Sequence, residues 1–101
     1  MGLLNRKPAG RSEKIEKEVT IVNRLGMHAR PAALFVRTAS RYRCEIWVEK
    51  ENERINGKSI MGLMMLAAGQ GSKLRICCAG LDADKAMQEI EDLIAAKFNE
   101  D

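Results

Sequence analysis

The chain's only histidine, His28, stands in Leu25-Gly26-Met27-His28-Ala29-Arg30-Pro31-Ala32, with an arginine two positions on and a proline after it. Gly26 can adopt positive φ and turn a loop sharply, while Pro31 is tolerated in a helix only near its first turn. The spacing predicts a helix that starts just after His28, with His28 at or near its N-cap. If His28 is the cap, Ala29 and Arg30 are the first two helical residues, and their N–H groups reach no helical carbonyl. Those donors and the positive end of the helix dipole would bind an anion, and Arg30 would add a guanidinium able to grip phosphate through two parallel hydrogen bonds. A neutral ring nitrogen is nucleophilic near neutral pH, and phosphoryl transfer depends mainly on positioning and charge stabilisation. The segment therefore reads as a site for a phosphoryl group carried on His28. Composition alone favours a plainer reading, a structural histidine at a helix cap, although His is not among the preferred caps. A zinc site lacks ligands at the required spacing, and a Ser-His-Asp arrangement lacks a nucleophile motif. A hydrolase using His28 as general base lacks a second catalytic group.

The elements that must position this segment follow from periodicity. Residues 1–16 are polar and charged and read as a flexible N-terminal leader, followed by a single domain over residues 17–101. Glu18 to Val22 alternates as a strand, with Val19 and Ile21 on one side. The helix after His28 carries its core stripe on Ala32, Phe35, Val36 and Ala39, and its other face shows Arg30, Ala33, Leu34, Arg37 and Arg41. That face is either solvated or a docking surface for acidic partners. Cys44 to Glu49 alternates as a half-buried strand and forms a hairpin with a short strand near Arg54 to Asn56. Ser59 is a candidate N-cap for a short apolar run from Ile60 to Leu66, with Leu63 and Leu66 facing the core. Lys73 to Ala79 alternates as a last strand. A last helix begins near Asp82, capped by Asp82 or Asp84, with Ala86, Met87, Ile90, Leu93, Ile94 and Phe98 as its stripe. The order β-α-β-β-α-β-α predicts an α+β open-faced sandwich, a four-stranded antiparallel sheet covered on one face by three helices.

Composition narrows the classes further. The chain has 101 residues, 46% hydrophobic and 31% charged, the profile of a single globular domain. No apolar run approaches the roughly 20 residues of a membrane helix, and no secretory or myristoylation pattern opens the chain, which predicts a cytoplasmic protein without membrane insertion. The three cysteines, Cys44, Cys77 and Cys78, make no disulfide framework and read as reduced. A formal net charge of +3 and 4% aromatic residues leave little material for stacking nucleic-acid bases, with Trp47 the sole candidate on the sheet.

Two segments carry a family resemblance that spans about Glu18 to Phe98. Gly26-Met27-His28-Ala29-Arg30-Pro31-Ala32-Ala33 and Asn56-Gly57-Lys58-Ser59-Ile60-Met61-Gly62-Leu63-Met64, in this order, resemble the active-site and regulatory-serine segments of the HPr family. These are the histidine-containing phosphocarriers of the bacterial phosphoenolpyruvate:sugar phosphotransferase system. The resemblance implies a monomeric carrier, not an enzyme, that forms a phosphohistidine at Nδ1 of His28 and uses no cofactor or metal. It implies phospho-enzyme I as donor and the EIIA domains of sugar permeases as acceptors, with Arg30 and the N–H groups of Ala29 and Arg30 steadying the phosphate. Ser59 matches the serine modified by HPr kinase/phosphorylase, a step tied to carbon catabolite regulation. Ala33, Leu34, Arg37, Ile60, Met61 and Met64 would form the partner-docking surface. The nitrogen-regulatory branch (NPr type) uses the same histidine without feeding sugar transport, and a regulatory binding module that transfers nothing is a further alternative.

Overall fold

The computed structural model describes residues 14–100. Four strands, β1 (Lys14–Thr20), β2 (Glu45–Lys50), β3 (Glu53–Asn56) and β4 (Lys73–Ala79), form one antiparallel sheet in the order β1-β4-β2-β3. Three helices, α1 (Ala29–Ser40), α2 (Ile60–Met65) and α3 (Ala83–Ala95), cover one face. The expected α+β open-faced sandwich is therefore the observed architecture. Among the described residues no helix is long and apolar enough to cross a membrane.

The core lies between sheet and helices. Strand residues alternate by face, and Ile46 and Val48 of β2 with Leu74, Ile76 and Cys78 of β4 meet Phe35, Leu63, Met87 and Ile90 from the helices, all essentially without solvent exposure. The opposite face of the sheet is charged. There Glu49 pairs with Arg54 at 3.2 Å, Arg75 reaches Glu16 at 3.5 Å, and the Arg54 guanidinium lies 4.9 Å above the Trp47 ring. Trp47 is thus covered by a cation rather than offered for stacking. Cys77 also points to this face yet is buried, lying between its cross-strand neighbours Glu16 and Trp47.

Three boundaries differ from expectation. The first strand starts at Lys14 rather than Glu18, so residues 14–16 of the expected leader belong to β1, and residues 1–13 lie outside the described residues. The charges hid it: β1 is an edge strand whose inward positions read Ile15, Lys17 and Val19, and Lys17 reaches Glu91 of α3 at 3.1 Å. Asp82 occupies the N-cap position of α3 but makes no cap hydrogen bond. Its carboxylate instead accepts the N–H groups of Arg43 and Cys44, both at 2.9 Å, and so fastens α3 to the start of β2. Finally α3 ends at Ala95, and Phe98 reaches the core from a separate 3-10 stretch, Lys97–Asn99. All three of those residues hold left-handed φ, 57, 54 and 61°, which costs about 1 kcal/mol or more apiece for non-glycine residues. Burial of the Phe98 ring offsets that cost.

Candidate functional site

The loop before α1 takes its shape from Gly26. Its φ is +72°, and a Cβ there would stand 2.5 Å from the carbonyl oxygen of Ala68 and 2.7 Å from Cα of Gly69. Only glycine satisfies both constraints. The close approach lets the N–H of Met27 donate to the Ala68 oxygen at 2.8 Å, and Met27 is buried beneath the loop. His28 follows in extended conformation, φ −85° and ψ −169°, as the N-cap of α1, and its side chain makes no cap bond. The ring is left free to face outward, with 38% of its side-chain surface exposed.

Ala29, Arg30 and Pro31 make the first helical turn. Pro31 has no N–H to leave unsatisfied. Ala29 and Arg30 each present one, and neither meets an acceptor among the described residues. Both residues are exposed beside the ring of His28. The arrangement offers an anion two aligned backbone donors, the positive end of a twelve-residue helix and the Arg30 guanidinium.

One contact was invisible in the sequence. Nε2 of His28 lies 3.1 Å from Oε1 of Glu100, and Nδ2 of Asn23 donates to the same oxygen at 2.9 Å. The second Nδ2 proton of Asn23 goes to the Gly26 carbonyl at 2.8 Å, so the fully buried Asn23 ties the loop to the chain's far end. Hydrogen bonds from Asn23 first, and from His28 second, hold the Glu100 carboxyl below the usual carboxylate range. Glu100 therefore faces His28 as an anion.

Ser59 caps α2, its Oγ accepting the N–H of Gly62 at 3.0 Å, and it is half-buried. Of the run that follows, Leu63 and Leu66 are buried, whereas Ile60, Met61 and Met64 are 41, 74 and 44% exposed. Met65 is 69% exposed and Leu25 66%, two apolar residues that extend the same kind of surface and that helical periodicity did not single out. α1 and α2 pack on each other. Ala33 and Leu34 are half-buried and Arg37 exposed on α1. The arginines expected on one face, Arg30, Arg37 and Arg41, are not one cluster at His28. Arg41 stands thirteen residues on, roughly 20 Å along the helix axis, and pairs with Glu89 of α3, which also binds the Tyr42 hydroxyl. Arg30 alone belongs to the first turn.

The cysteines take no part. Burial pushes the Cys44 thiol up to about 11 and Cys78 up to about 12, and raises Cys77 as well, so all three are neutral at physiological pH. Among the described residues no group of three or more His, Cys, Asp or Glu side chains could hold a metal.

Comparison with known proteins matches most of the chain to one family. A family model described as "PTS HPr component phosphorylation site" matches residues 15–96. The phosphocarrier protein HPr of Neisseria meningitidis is 45% identical over 86 residues, covering 85% of this chain and 97% of the relative. The HPr-like protein Crh of Halalkalibacterium halodurans is 46% identical over 76 residues, 75% of this chain and 90% of that one. Among solved structures, HPr of Thermoanaerobacter tengcongensis superposes with a TM-score of 0.83 at 47% identity, covering 86% of this chain and 98% of that chain.

Proposed function

The chain belongs to the HPr family of phosphotransferase-system proteins, and from that premise we propose that it is a monomeric, cytoplasmic carrier that takes a phosphoryl group from phospho-enzyme I onto Nδ1 of His28 and delivers it to EIIA domains of sugar permeases. The observation that carries this reading is the juxtaposition of an outward-facing imidazole with two unpartnered N–H groups, those of Ala29 and Arg30. The Nδ1 lone pair forms the new bond to phosphorus while the donor's bond to phosphorus breaks and its electron pair returns to the donor. The equatorial oxygens then carry charge that the two N–H groups, the helix dipole and Arg30 stabilise without reorganising. Carriage without hydrolysis fits the site's composition, because the one carboxylate beside the ring among the described residues, Glu100, is engaged by Asn23 and by His28 itself.

Incubation with phosphoenolpyruvate and enzyme I tests this directly. The parent is expected to gain an acid-labile phosphoryl group, and His28→Ala to gain none. Label retained in His28→Ala would overturn the reading. Onward transfer to a sugar-permease EIIA domain separates the sugar branch from the nitrogen-regulatory one, which would share the histidine chemistry and differ in its acceptor.

Ser59 is the proposed regulatory site. A phosphate there adds about −1.5 to −2 charge at a helix N-terminus, where the helix accepts it readily. The same charge would sit beside exposed Ile60, Met61 and Met64, in a surface that must meet an acidic partner. Ser59→Asp is expected to fold like the parent by circular dichroism and to be phosphorylated by enzyme I several-fold more slowly; equal rates would refute the regulatory role.

A further inference from the structure

Resting on the carrier reading of His28, we propose that Glu100 is a positioning residue of the phosphoryl site: by accepting a hydrogen bond from the Nε2–H it fixes the ring tautomer that leaves Nδ1 free to attack. An ionised carboxylate can only accept a hydrogen bond, so the 3.1 Å contact requires the hydrogen on Nε2. In the neutral ring the lone pair then belongs to Nδ1. Free imidazole in water exchanges between tautomers, and each molecule in the wrong one presents an N–H where the phosphorus must approach.

Two further observations point the same way. The carboxylate is itself held, because the buried Asn23 donates to the same oxygen at 2.9 Å. The chain also accepts three consecutive left-handed residues, Lys97, Phe98 and Asn99, immediately before Glu100. That turn, with the N–H of Glu100 donating to the Lys97 carbonyl at 3.0 Å, swings the chain back toward the start of α1. Strain of this kind persists only where surrounding structure enforces it, and here it delivers one carboxylate to one imidazole.

The role extends through the transfer step. As the Nδ1 lone pair bonds to phosphorus and the donor leaves with its own electron pair, the ring keeps its Nε2 proton and acquires a positive charge. The Glu100 carboxylate faces that charge at hydrogen-bond distance, as a carboxylate behind a catalytic histidine does in hydrolases. The proton is not transferred.

The test pairs ring ¹⁵N NMR of His28 with phosphorylation by enzyme I, on the full chain. In the parent the Nε2–H tautomer is expected to dominate the neutral ring. In Glu100→Ala the population should move toward a mixture, and the phosphorylation rate should fall about tenfold in kcat with KM for phospho-enzyme I little changed. Glu100→Gln, which keeps an acceptor but loses the charge, should fall between the two. A Glu100→Ala variant unchanged in either readout overturns the inference while the labelled parent leaves the carrier reading standing. A parent that takes no phosphoryl group from enzyme I overturns the carrier reading and the positioning role with it.

Discussion

At the scale of single residues, Arg30 and the two first-turn N–H groups share one anion, and their contributions can be separated. Arg30→Ala leaves the backbone donors in place and removes a charge-assisted pair worth about 1.5–3 kcal/mol. Phosphorylation of His28 is therefore expected to slow by roughly tenfold to a hundredfold, measured as the rate of label uptake from enzyme I, with folding unchanged. Arg30→Lys should recover only part of the loss, since an ammonium cannot make the two parallel bonds of a guanidinium. His28 and Arg30 were legible because their chemistry is encoded locally: a glycine, a histidine, an arginine and a proline within six positions define a loop and a helix start. Glu100 was not, because its partner is 72 residues away and nothing in the pair Asn99-Glu100 announces a contact. Asn23 gave no signal either, as a polar residue before a glycine turn ordinarily reads as surface, whereas here it is fully buried.

At the scale of elements, two of the side chains that tie α3 to the sheet, Lys17 and Asp82, are charged, and this is where periodicity misleads. The helix α1 and the strand β4 could be read from their apolar spacing, and α2 from the apolar run that Ser59 caps. The first half of β1 could not, since an edge strand with Lys17 facing inward breaks the alternation that marks a strand, while blunting the edge against pairing with another chain. Asp82 shows a related failure, for it occupies the capping position but spends its carboxylate on the backbone of another segment. Its carboxyl is held below the usual range, chiefly by the N–H of Arg43. A carboxyl whose folded pKa is depressed stabilises the fold fully above the ordinary aspartate value of about 3.9 and loses that contribution as pH falls through the folded value. Asp82→Asn is accordingly expected to be less stable than the parent at neutral pH and to show a shallower loss of stability on acidification, by urea denaturation across pH 2–6.

At the scale of the whole molecule, one core supports two separate surfaces. Phe98, 1% exposed, belongs to that core and sits two residues before the carboxylate that meets His28. Phe98→Ala removes a buried aromatic, costing about 3–5 kcal/mol, and also releases the apolar anchor of the left-handed turn. A large fall in thermal midpoint is expected together with loss of the His28–Glu100 contact in NMR, so that stability and ring tautomer change in the same variant. Glu100→Ala, by contrast, should alter the tautomer and leave the midpoint within a degree or two. The overall architecture was legible because alternation and helical spacing are properties of short segments; the closure of the C-terminal stretch onto the first helix is a property of the complete chain.

That closure has a practical side. Whatever is attached after Glu100 departs from beside His28, whereas whatever precedes Lys14 departs from the opposite end of β1, a seven-residue strand that spans roughly 20 Å. An affinity tag or fluorescent fusion placed downstream would crowd the approach of a phosphoryl donor and pull on the carboxylate that orients the ring. The same cargo placed upstream would join the fold at Lys14, the end of β1 away from the loop that carries His28.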